Sequence, residues 1–183
     1  MRSLILAVAF CLPILAAAPP RAAAQDAAMA ERIANDPRVT AHRPYGLPIP
    51  PSAREDKSVQ FGKFMRFKLQ GSTDFGRIGI VTPTLKPVKK GDRIVIAFWA
   101  RASGTDAGLP GKIGRVQLEA TPVIRTIFEK AFDIGPEWKM YQLSGRSDQD
   151  YKPGALNAAL HIDAAKQTLD VGPIFVLNYG QTP

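Results

Sequence analysis

From Val59 onward the chain is a succession of short apolar runs separated by turn signals, and none of it sustains a helical period for three turns. The runs cover residues 59–69, 77–81, 93–102, 115–120, 124–132, 139–143, 155–163 and 174–179. Gly-Asp, Gly-Pro and Gly-rich stretches lie between them, with starts about 9 to 22 residues apart. That rhythm is the pattern of an all-β sandwich of about eight strands. The run RIVIAFWARA shows why two layers are needed. Successive side chains of a strand point to opposite faces. Ile94, Ile96, Phe98 and Ala100 form a wholly apolar set for the core, while Val95, Ala97, Trp99 and Arg101 face the other way.

The segment before these runs has a different texture. Residues 1–24 read as a secretory leader: Arg2 is the positive start, residues 4–18 are apolar, and Ala22-Ala23-Ala24 is a small-residue cleavage site. The apolar stretch is too short for a membrane span, and no other long apolar run follows, so no transmembrane segment is expected. The protein is therefore expected to be exported, periplasmic or secreted. Its one cysteine, Cys11, lies in the leader, so the mature chain must be held by its core rather than by disulfides. Residues 25–57 read as an Ala/Pro-rich arm or linker that drapes over the domain. Pro37, Pro44, Pro48, Pro50 and Pro51 bar a central strand or helix there.

Four motifs within residues 58–180 occur in a telling order: GDRIVIAFWARA, GPEWKMYQL, the Tyr-Lys-Pro-Gly turn at 151–154, and QTLDVGPIFVLNYG. In this order the chain resembles the carbohydrate-binding modules of families four and nine, the galactose-binding-like jelly rolls found attached to xylanases and other glycoside hydrolases. The resemblance implies a jelly-roll sandwich over 58–180, a polysaccharide or oligosaccharide ligand, and a glycoside-active enzyme as partner. No cofactor is expected beyond the structural calcium that such modules often carry. For that ion Asp170 and Glu55 or Asp56 are the matching acids, although the family's paired acids near the end are replaced here by Val171 and Gly172.

A sugar site needs an aromatic ring against C–H surfaces and amides or charges for hydroxyls. Alternation supplies Trp99 and Arg101 from one run, Gln117 and Glu119 from another, and His161 and Asp163 from a third. These six are the candidate ligand residues, expected on one polar sheet face. The opposing reading is a plain solvated face with Trp99 covered by the arm. Trp138 is expected to plug the end of the core. No catalytic residue is assigned. A jelly-roll lyase or hydrolase would draw on His161, Tyr141, Tyr151, Arg101 or a Glu119–Asp163 pair, and the Gly-x-Ser-x-Gly elbow is absent. His161-x-Asp163 lacks the further ligands of a zinc site. A structural or adhesive envelope protein is the other alternative. Without the leader, 22 basic residues face 16 acidic ones. That excess favours anionic partners such as uronate-rich polysaccharide, but the basic residues are scattered. Nucleic acid is not expected, because no basic strand pair is rich in aromatics.

Overall fold

Alternation like that of RIVIAFWARA buries one set of side chains only if a second sheet closes over them. The computed structural model, which describes residues 28–105 and 108–181, contains that second sheet. Its strands are β1 (Arg43–Tyr45), β2 (Ala53–Glu55), β3 (Lys63–Gln70), β4 (Gly79–Pro83), β5 (Arg93–Ser103), β6 (Gly111–Ala120), β7 (Arg125–Ile134), β8 (Lys139–Arg146), β9 (Leu156–His161) and β10 (Lys166–Asn178). They form two five-stranded antiparallel sheets in the orders β1-β4-β9-β6-β7 and β2-β3-β10-β5-β8. We call them the front and the back sheet. The fold is the jelly-roll sandwich read from the sequence.

The expected core set of β5, Ile94, Ile96, Phe98 and Ala100, is fully buried. It packs between the sheets with Ile80, Leu118 and Leu160 from the front and Phe67, Leu169 and Val176 from the back. Phe98 stacks on Tyr141 at 5.6 Å and meets the edge of Phe132 at 5.4 Å, which fills the β8 end of the core.

The Pro-rich segment contributes to the sandwich directly. It supplies β1 to the edge of the front sheet and β2 to the edge of the back sheet, each only three residues long. Proline is tolerated at an edge because its missing N–H faces no neighbour. Upstream of β1, Ile33 bridges Leu177, and Asn35 reaches between the sheets. Asn35 Oδ1 accepts from Val176 N at 2.8 Å, while Nδ2 donates to the Ile174 carbonyl at 2.8 Å and to Thr82 Oγ1 at 3.1 Å. The Gly172-Pro173 pair, read as a break, is instead a bulge inside β10, where the register with β5 shifts between Val171 and Ile174. The run read over 59–69 begins with a 3-10 turn, Gln60–Gly62, and only then enters β3.

Candidate functional site

The front sheet's outer surface is built in rows across the strands. Strand register sets Tyr45, Gly79, His161 and Arg115 in one row. Arg43, Val81, Ala159, Gln117 and Glu129 form the next, and Pro83, Asn157, Glu119 and Thr126 the third. With strands about 4.8 Å apart, a row of four spans about 14 Å, the length of a short oligosaccharide. The floor is low where Gly79 and Ala159 stand.

Two glycines on this face are replaced in space by aromatic rings. A Cβ on Gly79 would lie 2.4 Å from Tyr45 Cζ, and one on Gly114 would lie 2.6 Å from Phe75 Cδ2. Tyr45 is pinned in place by a 2.9 Å hydrogen bond between its hydroxyl and His161 Nδ1. Phe75 rides on the loop before β4, and Asp163 fixes that loop by accepting from Gly76 N at 2.7 Å and Ile78 N at 3.3 Å. The Arg115 guanidinium lies 5.7 Å over the Phe75 ring and pairs with Glu129 at 3.2 Å.

The amides beside these rings are ordered by one another. Gln117 donates to Glu119 Oε2 and accepts from Thr126 Oγ1 at 3.0 Å, and Asn157 donates to Glu119 Oε1 at 3.5 Å. Gln117 and Glu119 are buried although no layer of strands covers this face, so neighbouring side chains on it close over them. Burial and the nearby Glu119 and Asp163 carboxylates push the Tyr45 phenol up to about 12. Burial and the Arg115 charge lower the His161 imidazole below its ordinary value. Tyr45 therefore stays a protonated phenol and His161 a neutral ring at neutral pH. His161 Nε2 is buried and makes no hydrogen bond among the described residues.

The six residues expected together do not form one site. Gln117, Glu119 and His161 share the front face, while Trp99 and Arg101 stand on β5 in the back sheet, on the opposite side of the core. Asp163 lies past the end of β9 and caps a loop rather than joining that face. Alternation assigns each residue to the inside or outside of its own strand; it does not say which sheet the strand joins.

Trp99 donates to Gln60 Oε1 at 3.1 Å and packs beside Val95, Ala97, Phe175 and Leu177. Arg101 belongs to a charged cluster. The buried Asp170 is bonded by Arg66 Nε at 2.7 Å and Arg101 Nε at 2.8 Å, and Arg101 reaches Asp56 at 3.2 Å. Trp138 is half-buried outside the core, contrary to expectation, because its indole donates to Asp56 at 3.0 Å and carries the Arg101 guanidinium 4.6 Å over its ring. Hydrogen bonds from Ser58 and Trp138 hold the Asp56 carboxyl well below the usual carboxylate range. These residues do not fit the calcium that the resemblance implies. Asp170 is occupied by two guanidinium groups, and no cluster of three or more metal-binding side chains exists among the described residues.

No family model and no curated protein matches the sequence. Solved structures do match it in fold. One is a CBM4 structure, with a TM-score of 0.57 and 11% identity over 76% of this chain and 95% of that one. Another is the N-terminal cellulose-binding domain of Cellulomonas fimi β-1,4-glucanase C, with a TM-score of 0.53 and 12% identity over 82% and 93%. A third is the CBM22-1 xylan-binding domain of Paenibacillus barcinonensis Xyn10C, with a TM-score of 0.52 and 10% identity over 82% and 94%. At these identities the likeness is one of fold. This chain has the fold of carbohydrate-binding modules.

Tyr45 and Phe75 were missed in the sequence. The signal for both was a glycine, Gly79 inside the run 77–81 and Gly114 directly before the run 115–120, which marks a close approach by another group.

The back sheet carries a different surface. Met29, Ile33, Phe61, Met140, Phe175 and Tyr179 line an apolar groove of about 390 Å³. Phe61 adopts a left-handed φ of 62° there and stays exposed.

Proposed function

We propose that this chain is an exported, non-catalytic carbohydrate-binding module and that its ligand lies across the front sheet. The observation that carries this reading is the placement of two rings, Tyr45 and Phe75, and the ordered amides of Gln117 and Asn157 on one outer sheet face. Rings meet the C–H faces of a sugar, and amides meet its hydroxyls. The same fold in proteins described as cellulose-binding and xylan-binding supports a polysaccharide ligand. The leader that would export it lies outside the described residues. Among those residues no helix is long and apolar enough to cross a membrane. A glycoside-active enzyme that shares the same polysaccharide is the natural partner.

The apolar back groove favours a second reading, an envelope protein that uses this fold for protein contact. Affinity electrophoresis in gels containing xylan, β-glucan, pectin or alginate separates the two. Retardation with the polysaccharide's chain length unchanged is the expected result. Accumulating reducing ends or unsaturated products would make the protein a hydrolase or lyase. Free migration in all four gels, with a protein cross-linked in the envelope, would establish the second reading.

A further inference from the structure

Arginines on this protein are used within it. Arg38, Arg66, Arg77, Arg101, Arg115 and Arg125 form ion pairs. Arg146 donates to the Gly91 carbonyl, and Arg32 and Arg93 lie over the Tyr179 ring. Among the described arginines only Arg43 and Arg54 have a side chain with no such contact. Arg54 stands on β2 at the edge of the back sheet, away from any groove described above. Arg43 stands exposed on β1, on the outer face of the front sheet.

Its position there is specific. Arg43 and Tyr45 are two residues apart on β1, so they share one face at a spacing of about 7 Å. A pyranose ring resting on Tyr45 therefore brings an exocyclic substituent within reach of the Arg43 fork. Arg43 also lines a pocket of about 470 Å³ with Thr121, Gly154 and Asn157. That size is ordinary for a small-ligand site, roughly 300–1,000 Å³. The face's own buried carboxylate, Glu119, is engaged by Gln117 and Asn157 and makes no ion pair with Arg43. A guanidinium presents a planar set of donors that matches a carboxylate at two points, and neutral hydroxyls do not need that charge. The excess of basic residues over the whole chain draws in polyanions from a distance.

We propose that this face takes a uronic-acid-bearing polysaccharide, with a sugar ring against Tyr45 and its carboxylate on the Arg43 guanidinium. This rests on the carbohydrate-binding reading given above and names the class of sugar.

The test compares polygalacturonate, alginate, fully methyl-esterified pectin and β-glucan by affinity electrophoresis at moderate salt. The proteins are the wild type, Arg43→Gln and Arg54→Gln, each checked for a cooperative melt. The wild type should bind at least one of the two acidic polymers more tightly than both neutral ones. Arg43→Gln should weaken acidic-polymer binding about tenfold or more, the scale of a lost charge-assisted pair, and leave any binding to β-glucan unchanged. Arg54→Gln should change neither. Equal loss in both variants would mean diffuse attraction of a polyanion to a basic protein and would overturn the proposal. Equal binding of polygalacturonate and its methyl ester, with alginate no tighter than β-glucan, would overturn it too while leaving carbohydrate binding intact. Free migration on every polymer would remove the carbohydrate reading itself. If Arg43→Gln does not fold, NMR titration of the wild type with trigalacturonate and with an alginate trimer decides the matter. A shift of the Arg43 Nε–H signal with either is expected, and its absence with both overturns the assignment.

Discussion

Trp99 and Tyr45 stand on opposite sides of the core, Trp99 in the middle of the back sheet's β5 and Tyr45 on the edge strand β1 of the front sheet. Trp99 was correctly out of phase with Ile94, Ile96 and Phe98, so it lies outside the main core, yet it lies on the far side of the sandwich from Glu119 and His161. Phase within one run is a local property, and the partnering of runs into sheets is set by long-range pairing that no single run encodes. Tyr45 was hidden because it stands in a Pro-rich stretch, between Pro44 and Pro48, which reads as loop. Trp99→Ala should therefore leave glycan retention unchanged and lower stability by about 1–3 kcal/mol, since a half-buried ring and its bond to Gln60 are lost. Tyr45→Ala should do the reverse, weakening binding by about 5- to 150-fold if sugar stacking is worth what base stacking on aromatics is worth. Retention gels and urea denaturation on the same two variants read both quantities. Loss of retention in Trp99→Ala with full retention in Tyr45→Ala would move the site to the back sheet. Trp138→Ala removes the ring beneath Arg101 and a bond to Asp56, so its cost should be about 1–2 kcal/mol rather than that of a core truncation.

At the scale of elements, the strong strands were legible and the weak ones were not. β5 carries long apolar alternation and was read within a residue of its ends, whereas of β10 only the half after the bulge was read as a run. β1 and β2 carry almost none, because an edge strand of three residues is held by backbone pairing to a neighbour rather than by its own apolar face. The residues ahead of β1 act in the same way. Ala34 N donates to the Val176 carbonyl at 2.7 Å, and Asn35 completes the pairing with its side chain. Asn35→Ala would leave Val176 N–H, the Ile174 carbonyl and Thr82 Oγ1 without this partner in a buried place. The expected loss is about 3 kcal/mol, read as a lower urea midpoint with an unchanged slope. A variant as stable as the wild type would mean that the segment merely lies on the surface. Deleting residues 174–180 removes half of a central strand and should abolish cooperative unfolding altogether.

For the whole molecule, the two histidines make stability depend on pH in one direction. His42 is buried where the upstream segment passes the β10 bulge, and neither ring nitrogen completes a hydrogen bond among the described residues. Burial, opposed by the Gly172 backbone and the Asp36 carboxylate, pulls its pKa down to about 4. Between that value and the ordinary 6.5 the unfolded chain binds the extra proton, so stability is complete above pH 6.5 and falls as the pH drops toward 4. The loss is about 3 kcal/mol. The lowered His161 adds to it with the same sign. Denaturation midpoints from pH 7 to pH 4 should show this slope, and His42→Leu should flatten it by more than half. An unchanged slope in that variant would mean that the ring reaches water. The placement of β10 has a further consequence in time. Val171 pairs back to Met65 and Thr168 back to Ser103, so the middle of the back sheet is filled by a segment synthesised long after both its neighbours. Until residues 166–178 emerge from the ribosome, β3 and β5 face an empty lane and the core set of β5 has no complete layer around it. A nascent chain of this topology cannot complete its core before residues 166–178 have been made, however early its other strands are available.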